Sequence, residues 1–165
     1  MILICAGSDG NNLKLATKLH EIAGEESIPT EVIDLGALEL PMFTNARNKE
    51  DSPTGLGQLI KRFEEATGFI MVAPEYNGSI PPLMTNMLAW LSTKSDDFRI
   101  LFNDKAVALA THSGGGGSKV MVSMRIQMSH LGCNVVGREL VTSHQKELNQ
   151  DSAKAVLLSL SSMSS

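Results

Sequence analysis

Short apolar runs rich in β-branched residues alternate along the chain with longer stretches in which apolar positions recur every three or four residues. The first run, Met1 to Ala6, is apolar throughout, as a strand covered on both faces requires. Leu15, Leu19 and Ile22 then repeat at helical spacing and predict a helix from about Asn12 to Ala23. Thr30 to Leu35 reads as a second strand. Leu56, Leu59, Ile60 and Phe63 give the i, i+3, i+4, i+7 stripe of a helix, and Phe69 to Ala73 a third strand. Pro82 opens the next helix, at a position where a missing N–H costs nothing, and that helix runs to about Ser92. Ala106 to Thr111 follows as a strand, Ser118 to Leu131 as a helix, Asn134 to Val136 as a fifth strand and Asp151 to Met163 as a closing helix. Five strands and five helices in strict alternation predict an α/β fold, a doubly wound parallel sheet in the order 2-1-3-4-5. Ligands of such sheets bind at the carboxyl ends of the strands, near the switch point between strands 1 and 3.

Composition narrows the functional classes. With 165 residues, 42% of them hydrophobic, the chain is long enough for one core and is expected to be a single domain over residues 1–165. A net charge of -4 lacks the basic footprint of a nucleic-acid or anionic-membrane binder, so neither is an expected partner. Cys5 and Cys133 sit in apolar surroundings and read as reduced core residues, which suggests a reducing compartment. The apolar run before Gly7 is too short for a secretory core or a membrane span, so a cytoplasmic location is expected and the Asn77-Gly78-Ser79 sequon is discounted. His20, His112, His130 and His144 are scattered, and no metal site is expected.

Three loops break the pattern, and they follow strands 1, 3 and 4, on one edge of the sheet. Gly7 to Asn12 puts small and hydrogen-bonding residues where a helix begins, so Ser8, Gly10, Asn11 and Asn12 can receive a phosphate; the plainer alternative is an Asn N-cap after a tight turn. Asp9 stands where a dinucleotide fingerprint needs its second glycine, and Lys119 follows Ser118 where a Walker A loop needs the reverse order. The loop Pro74 to Pro82 is stiffened by prolines and offers Glu75, Tyr76, Asn77 and Gly78 to a flat heterocycle. The loop His112 to Ser118 exposes backbone groups, with Ser113, Gly114, Gly115 and Gly116 as candidate contacts, and a linker role does not explain its four glycines between a buried strand and a helix.

The string Pro74 to Ser92, the glycine loop Ser113 to Ser118 and His130-Leu131-Gly132 resemble the NAD(P)H-dependent FMN reductase family, which includes quinone, azo-dye and chromate reductases. The likeness runs over nearly the whole chain. It implies a flavodoxin-like three-layer sandwich with a five-stranded parallel sheet, FMN as cofactor, NAD(P)H as hydride donor, and a small-molecule acceptor. The family's phosphate loop, Gly-Ser-x-Arg-x-x-Ser-x-Asn-x-x-Leu-Ala, is matched by Gly7, Ser8, Asn12, Leu15 and Ala16. Here the loop is three residues shorter and lacks the Arg and the second Ser, which implies loose FMN binding. In the family, the Pro74 to Asn77 segment lies against the flavin ring and Ser113 to Gly116 borders its pyrimidine edge. No side chain is expected to act as a catalytic acid or base. A flavodoxin-like electron carrier without nicotinamide turnover is the other function these residues allow. Leu83, Met84, Met87, Leu88, Trp90 and Leu91 on one helix, with Val120, Met121, Val122, Met124, Ile126 and Met128 on the next, exceed one sheet-facing stripe, so a homodimer or homotetramer is expected.

Overall fold

The computed structural model describes residues 1–50, 52–93 and 95–163. Its elements are β1 (Ile2–Ala6), α1 (Asn11–Glu25), β2 (Thr30–Asp34), α2 (Leu56–Glu65), β3 (Gly68–Val72), α3 (Pro82–Leu91), β4 (Ala106–His112), α4 (Ser118–His130), β5 (Asn134–Val135), β6 (Leu140–Thr142) and α5 (Gln150–Met163). A 3-10 turn, Arg47–Lys49, interrupts the long β2–α2 connection. All strand pairings are parallel, in the order β2-β1-β3-β4-β5 that the alternation predicts.

One strand escapes the sequence reading. The edge beyond β4 is shared by β5, which pairs with Ala106 and Val107, and by β6, which pairs with Ala110 to His112. The connection between them carries two residues more than the facing stretch of β4, so the edge bulges and then resumes. The sheet thus has six strands where five were expected.

Alternation along the strands divides the interior in two. Leu3, Cys5, Phe69, Met71, Val107 and Leu109 join the core beneath α2, α3 and α4, where Phe69 stacks on Phe63 with ring centroids 5.0 Å apart. Ile2, Ile4, Ala6, Ile70, Val72, Ala108 and Ala110 face α1 and α5 on the other side. Small alanines on that face let α1 and α5 lie close to the sheet. Both faces of β1 and β3 are therefore dry, which is why these strands read as unbroken apolar runs.

Much of the apolar surplus on α3 and α4 is used within the chain. Met84, Met87, Leu88, Trp90, Leu91, Val120, Met121, Met124 and Met128 are all buried, leaving only Leu83, Val122 and Ile126 of that set exposed. The missing cover comes from the β2–α2 connection, which α3 holds down. Asn86 accepts the Phe43 N–H at 2.7 Å and donates to the carbonyls of Leu40 and Pro41, while the Trp90 indole donates to Pro41 at 2.7 Å. A loop held by side-chain hydrogen bonds leaves no periodic signature, so the stripes looked wider than the faces they cover.

Burial raises the thiols of Cys5 and Cys133 to about 12, with Glu31 adding to the rise at Cys5 and Lys105 partly offsetting it at Cys133. Both are expected to resist a thiol reagent at pH 8 in the folded protein and to react fully in urea. Because the folded values lie above the ordinary 9.0, the stability these thiols contribute is complete below about pH 9 and is lost as pH rises toward 12. Denaturant midpoints measured from pH 7 to 11, against a Cys5→Ala, Cys133→Ala control, check the sign.

Candidate active site

At the carboxyl end of β1 the backbone turns through Gly7 to Gly10, whose φ of 68° and ψ of -128° suit glycine alone. Gly10 is the N-cap of α1 and, among the described residues, no side chain caps that helix. The alternative of an Asn N-cap is thereby set aside. Asn12 lies inside the first turn and reaches across the sheet edge to β4. Its Oδ1 accepts the His112 N–H at 2.8 Å and its Nδ2 donates to the His112 carbonyl at 3.0 Å. The first N–H groups of α1 are left open to a ligand at the positive end of the helix dipole. Ser8 is buried and its hydroxyl donates to the Asp9 carbonyl, while Asp9, Gly10 and Asn11 are exposed.

The two other loops are fastened to one another. Thr111, fully buried, donates its hydroxyl hydrogen to the Ala73 carbonyl at 2.6 Å, so the Ser113 hydroxyl is the donor in their 2.9 Å contact. Ser113 Oγ in turn accepts the Glu75 N–H at 2.8 Å. The Glu75 carboxylate continues the chain of bonds to α4, accepting the N–H groups of Lys119 at 3.0 Å and Val120 at 3.4 Å. Glu75 thus does from another loop what an N-cap side chain does from the helix itself. The side chains of Glu75 and Ser113 serve this framework, and it is the backbone of their loops that faces outward.

Tyr76 to Ser79 is a two-residue hairpin turn closed by hydrogen bonds of 3.1 and 3.0 Å between Tyr76 and Ser79. Asn77 and Gly78 take positive φ of 51° and 73°, the Asn-Gly pairing such turns favour. Tyr76 is left half exposed at the rim. In the glycine loop the four residues differ in kind. Gly116 and Gly117 need positive φ, and a Cβ on Gly117 would meet Thr111 Cγ2 at 2.7 Å. Gly114 and Gly115 have no such φ, and a Cβ on either would meet nothing within 4 Å.

The structure therefore gathers all three sequence-predicted loops on one edge. The sequence reading missed two inward roles, that of Thr111, which fastens two of the loops together, and that of the His112 backbone, which Asn12 clasps. A threonine closing a buried strand just before a glycine run was the available signal for the first of them.

A family model described as NADPH-dependent FMN reductase matches residues 1–147. The chain belongs to the NADPH-dependent FMN reductase family. It is an NAD(P)H-dependent oxidoreductase of flavodoxin-like architecture. The chain is 34% identical over 104 residues to a probable NADPH:quinone oxidoreductase 2 of Oryza sativa, a match covering 61% of this chain and 49% of that protein. It is 29% identical over 90 residues to a quinone reductase of Escherichia coli K12, covering 53% and 46% respectively. The matched stretch spans about half the length of either relative. A similar fold is seen in FerB, a flavoenzyme NAD(P)H:(acceptor) oxidoreductase from Paracoccus denitrificans, with a TM-score of 0.77 at 20% identity over 99% of this chain and 94% of that one. The carrier without nicotinamide turnover is set aside by the family match. No helix among the described residues is long and apolar enough to cross a membrane, and none of them cluster as a metal site.

The contrast within the glycine loop yields a stability test. Gly117→Ala is expected to cost about 2–4 kcal/mol, from the left-handed backbone and the clash with Thr111. Gly115→Ala should cost less than about 1 kcal/mol. Urea unfolding of both variants checks the ordering, and equal midpoints would contradict the loop geometry.

Proposed function

We propose that this chain binds FMN across the three loops and uses it to pass reducing equivalents from NAD(P)H to a small acceptor such as free flavin, a quinone, an azo compound or a metal oxyanion. The observation that carries the reading is an uncapped helix N-terminus set beside two mutually braced loops whose backbone opens onto free space at Gly114 and Gly115. That donor set fits the cofactor: backbone N–H groups at a helix N-terminus suit a phosphate, and an unobstructed glycine edge suits the rim of a planar ring.

Ser8, Gly10, Asn11 and Asn12 would receive the phosphate, Asn12 through its backbone because its side chain holds His112. Pro74, Glu75, Tyr76, Asn77 and Gly78 would form the floor of the ring site, with Ser113, Gly114, Gly115 and Gly116 along one edge. When bound, FMN supplies the hydride chemistry itself. The chain orients the donor and the acceptor in turn above one floor, and the N–H groups of the glycine loop favour negative charge at the ring edge. Glu75, the carboxylate nearest to this floor in sequence, is engaged at the start of α4 and stays out of proton transfer. The quinone reductases among the relatives support this acceptor class. A second copy of the chain would cover Leu83, Val122 and Ile126, the exposed remainder of the apolar faces of α3 and α4.

NAD(P)H oxidation with added FMN and a quinone is expected to give ping-pong kinetics. Gly115→Val should weaken FMN binding about tenfold or more, while leaving the fold intact. If that variant binds FMN and turns over as fast as the parent, the ring site lies elsewhere. Light scattering at micromolar concentration should give twice the chain mass; a monomer contradicts the proposed second copy.

A further inference from the structure

We propose that a groove between α1 and the turn after β6 binds a phosphorylated sugar, the adenosine 2′-phosphate end of NADPH. This rests on the reading of the chain as a nicotinamide-dependent flavoenzyme. The groove, about 260 Å³, is walled by Asn11, Lys14 and Lys18 on one side and by His112, Ser143 and Lys146 on the other. It starts at Asn11 and His112, the residues next to Gly10 and Ser113, and so adjoins the loops assigned to FMN.

Its charge is opposite to that of the chain. Lys14 and Lys146 have no carboxylate partner among the described residues. Lys18 is paired with Glu21 at 2.9 Å, and Glu147 is the one carboxylate on the lining. Helix side chains tilt toward the N-terminus, so Lys14, one turn into α1, lies on the side of the open N–H groups of the first turn. Two ammonium groups without a carboxylate partner, and a third shared with Glu21, against the single carboxylate of the lining make a pocket for a compact anion in a protein of net charge -4.

His112 narrows the ligand further. The single hydroxyl hydrogen of Thr142 goes to the Thr111 carbonyl at 3.1 Å, so in the 3.1 Å contact between Thr142 Oγ1 and His112 Nδ1 the ring is the donor. With that hydrogen on Nδ1, Nε2 is left as the free polar atom of the ring, and it is buried without a partner among the described residues. The backbone of His112 is clasped on both sides by Asn12, which fixes the place of the ring, and the exposed His144 packs edge-on at 5.2 Å. A fully ionised phosphate monoester brings Nε2 no hydrogen, whereas a hydroxyl can both donate and accept. A phosphate with a neighbouring hydroxyl serves both walls at once, and a ribose 2′-phosphate carries its free 3′-hydroxyl on the adjacent carbon.

The test uses the full chain, flavin-free and FMN-loaded, with calorimetric titration of 2′-AMP, inorganic phosphate and adenosine. We expect 2′-AMP to bind at least tenfold more tightly than either fragment. Lys14→Gln combined with Lys146→Gln should weaken 2′-AMP about tenfold and raise the KM for NADPH by a similar factor. The proposal is overturned if 2′-AMP does not bind, or binds the double variant as well as the parent. It is also overturned if the double variant loses its preference for FMN over riboflavin, because the groove then holds the flavin phosphate. FMN titration of the same samples separates the two readings. A protein that takes FMN and ignores 2′-AMP refutes the groove alone, whereas one that takes no FMN refutes the flavoenzyme reading beneath it.

Discussion

The Thr111 hydroxyl, sealed between β3 and β4, is the contact on which the candidate site depends. It holds the Ala73 carbonyl, receives Ser113, and through Ser113 fixes the Glu75 backbone, whose carboxylate then secures the start of α4. One buried side chain thus sets two loops and a helix in a common frame. Such a relay is strong because every donor and acceptor in it is matched, and leaving one of its members unpaired in the dry interior costs about 1–3 kcal/mol. Asn12 plays the same part between α1 and β4, so all three loops hang from side chains that face inward.

What those side chains leave exposed is backbone. Gly10, Asn77, Gly78, Gly116 and Gly117 take positive φ in the three loops of the site, while the strands below are regular and dry. The α1 N-terminus is capped by Gly10 without a side-chain bond, forgoing only the few tenths of a kcal/mol that a Ser or Asp cap adds over glycine. Stability is provided by the two cores, and the edge is free to present N–H groups to a ligand. This division suits a protein whose chemistry belongs to a cofactor.

Most of this was legible in the sequence where burial leaves a period. Met1 to Ala6 and Phe69 to Ala73 read as strands because both faces are covered, and the glycine and proline loops stood out because nothing structural explained them. Three features were hidden. β6 is three residues long behind a bulge, too short to show alternation. The width of the apolar stripe on α3 pointed to a partner surface, whereas Asn86 and Trp90 draw the β2–α2 connection against that helix. Asn12 and Glu75 looked like ligand contacts because an amide or carboxylate in a loop carries no mark of what it binds. Long-range side-chain to backbone bonds join residues about 40 to 100 positions apart, and no local pattern encodes them.

The central claim, that one braced edge receives FMN, is tested most directly by amide NMR of the flavin-free protein titrated with FMN. The account predicts that shifts cluster at Asp9 to Leu13, at Tyr76 to Ser79 and at Ser113 to Gly116, with riboflavin sparing the first of these groups. Shifts centred on other elements, or an unchanged spectrum at saturating FMN, would contradict it.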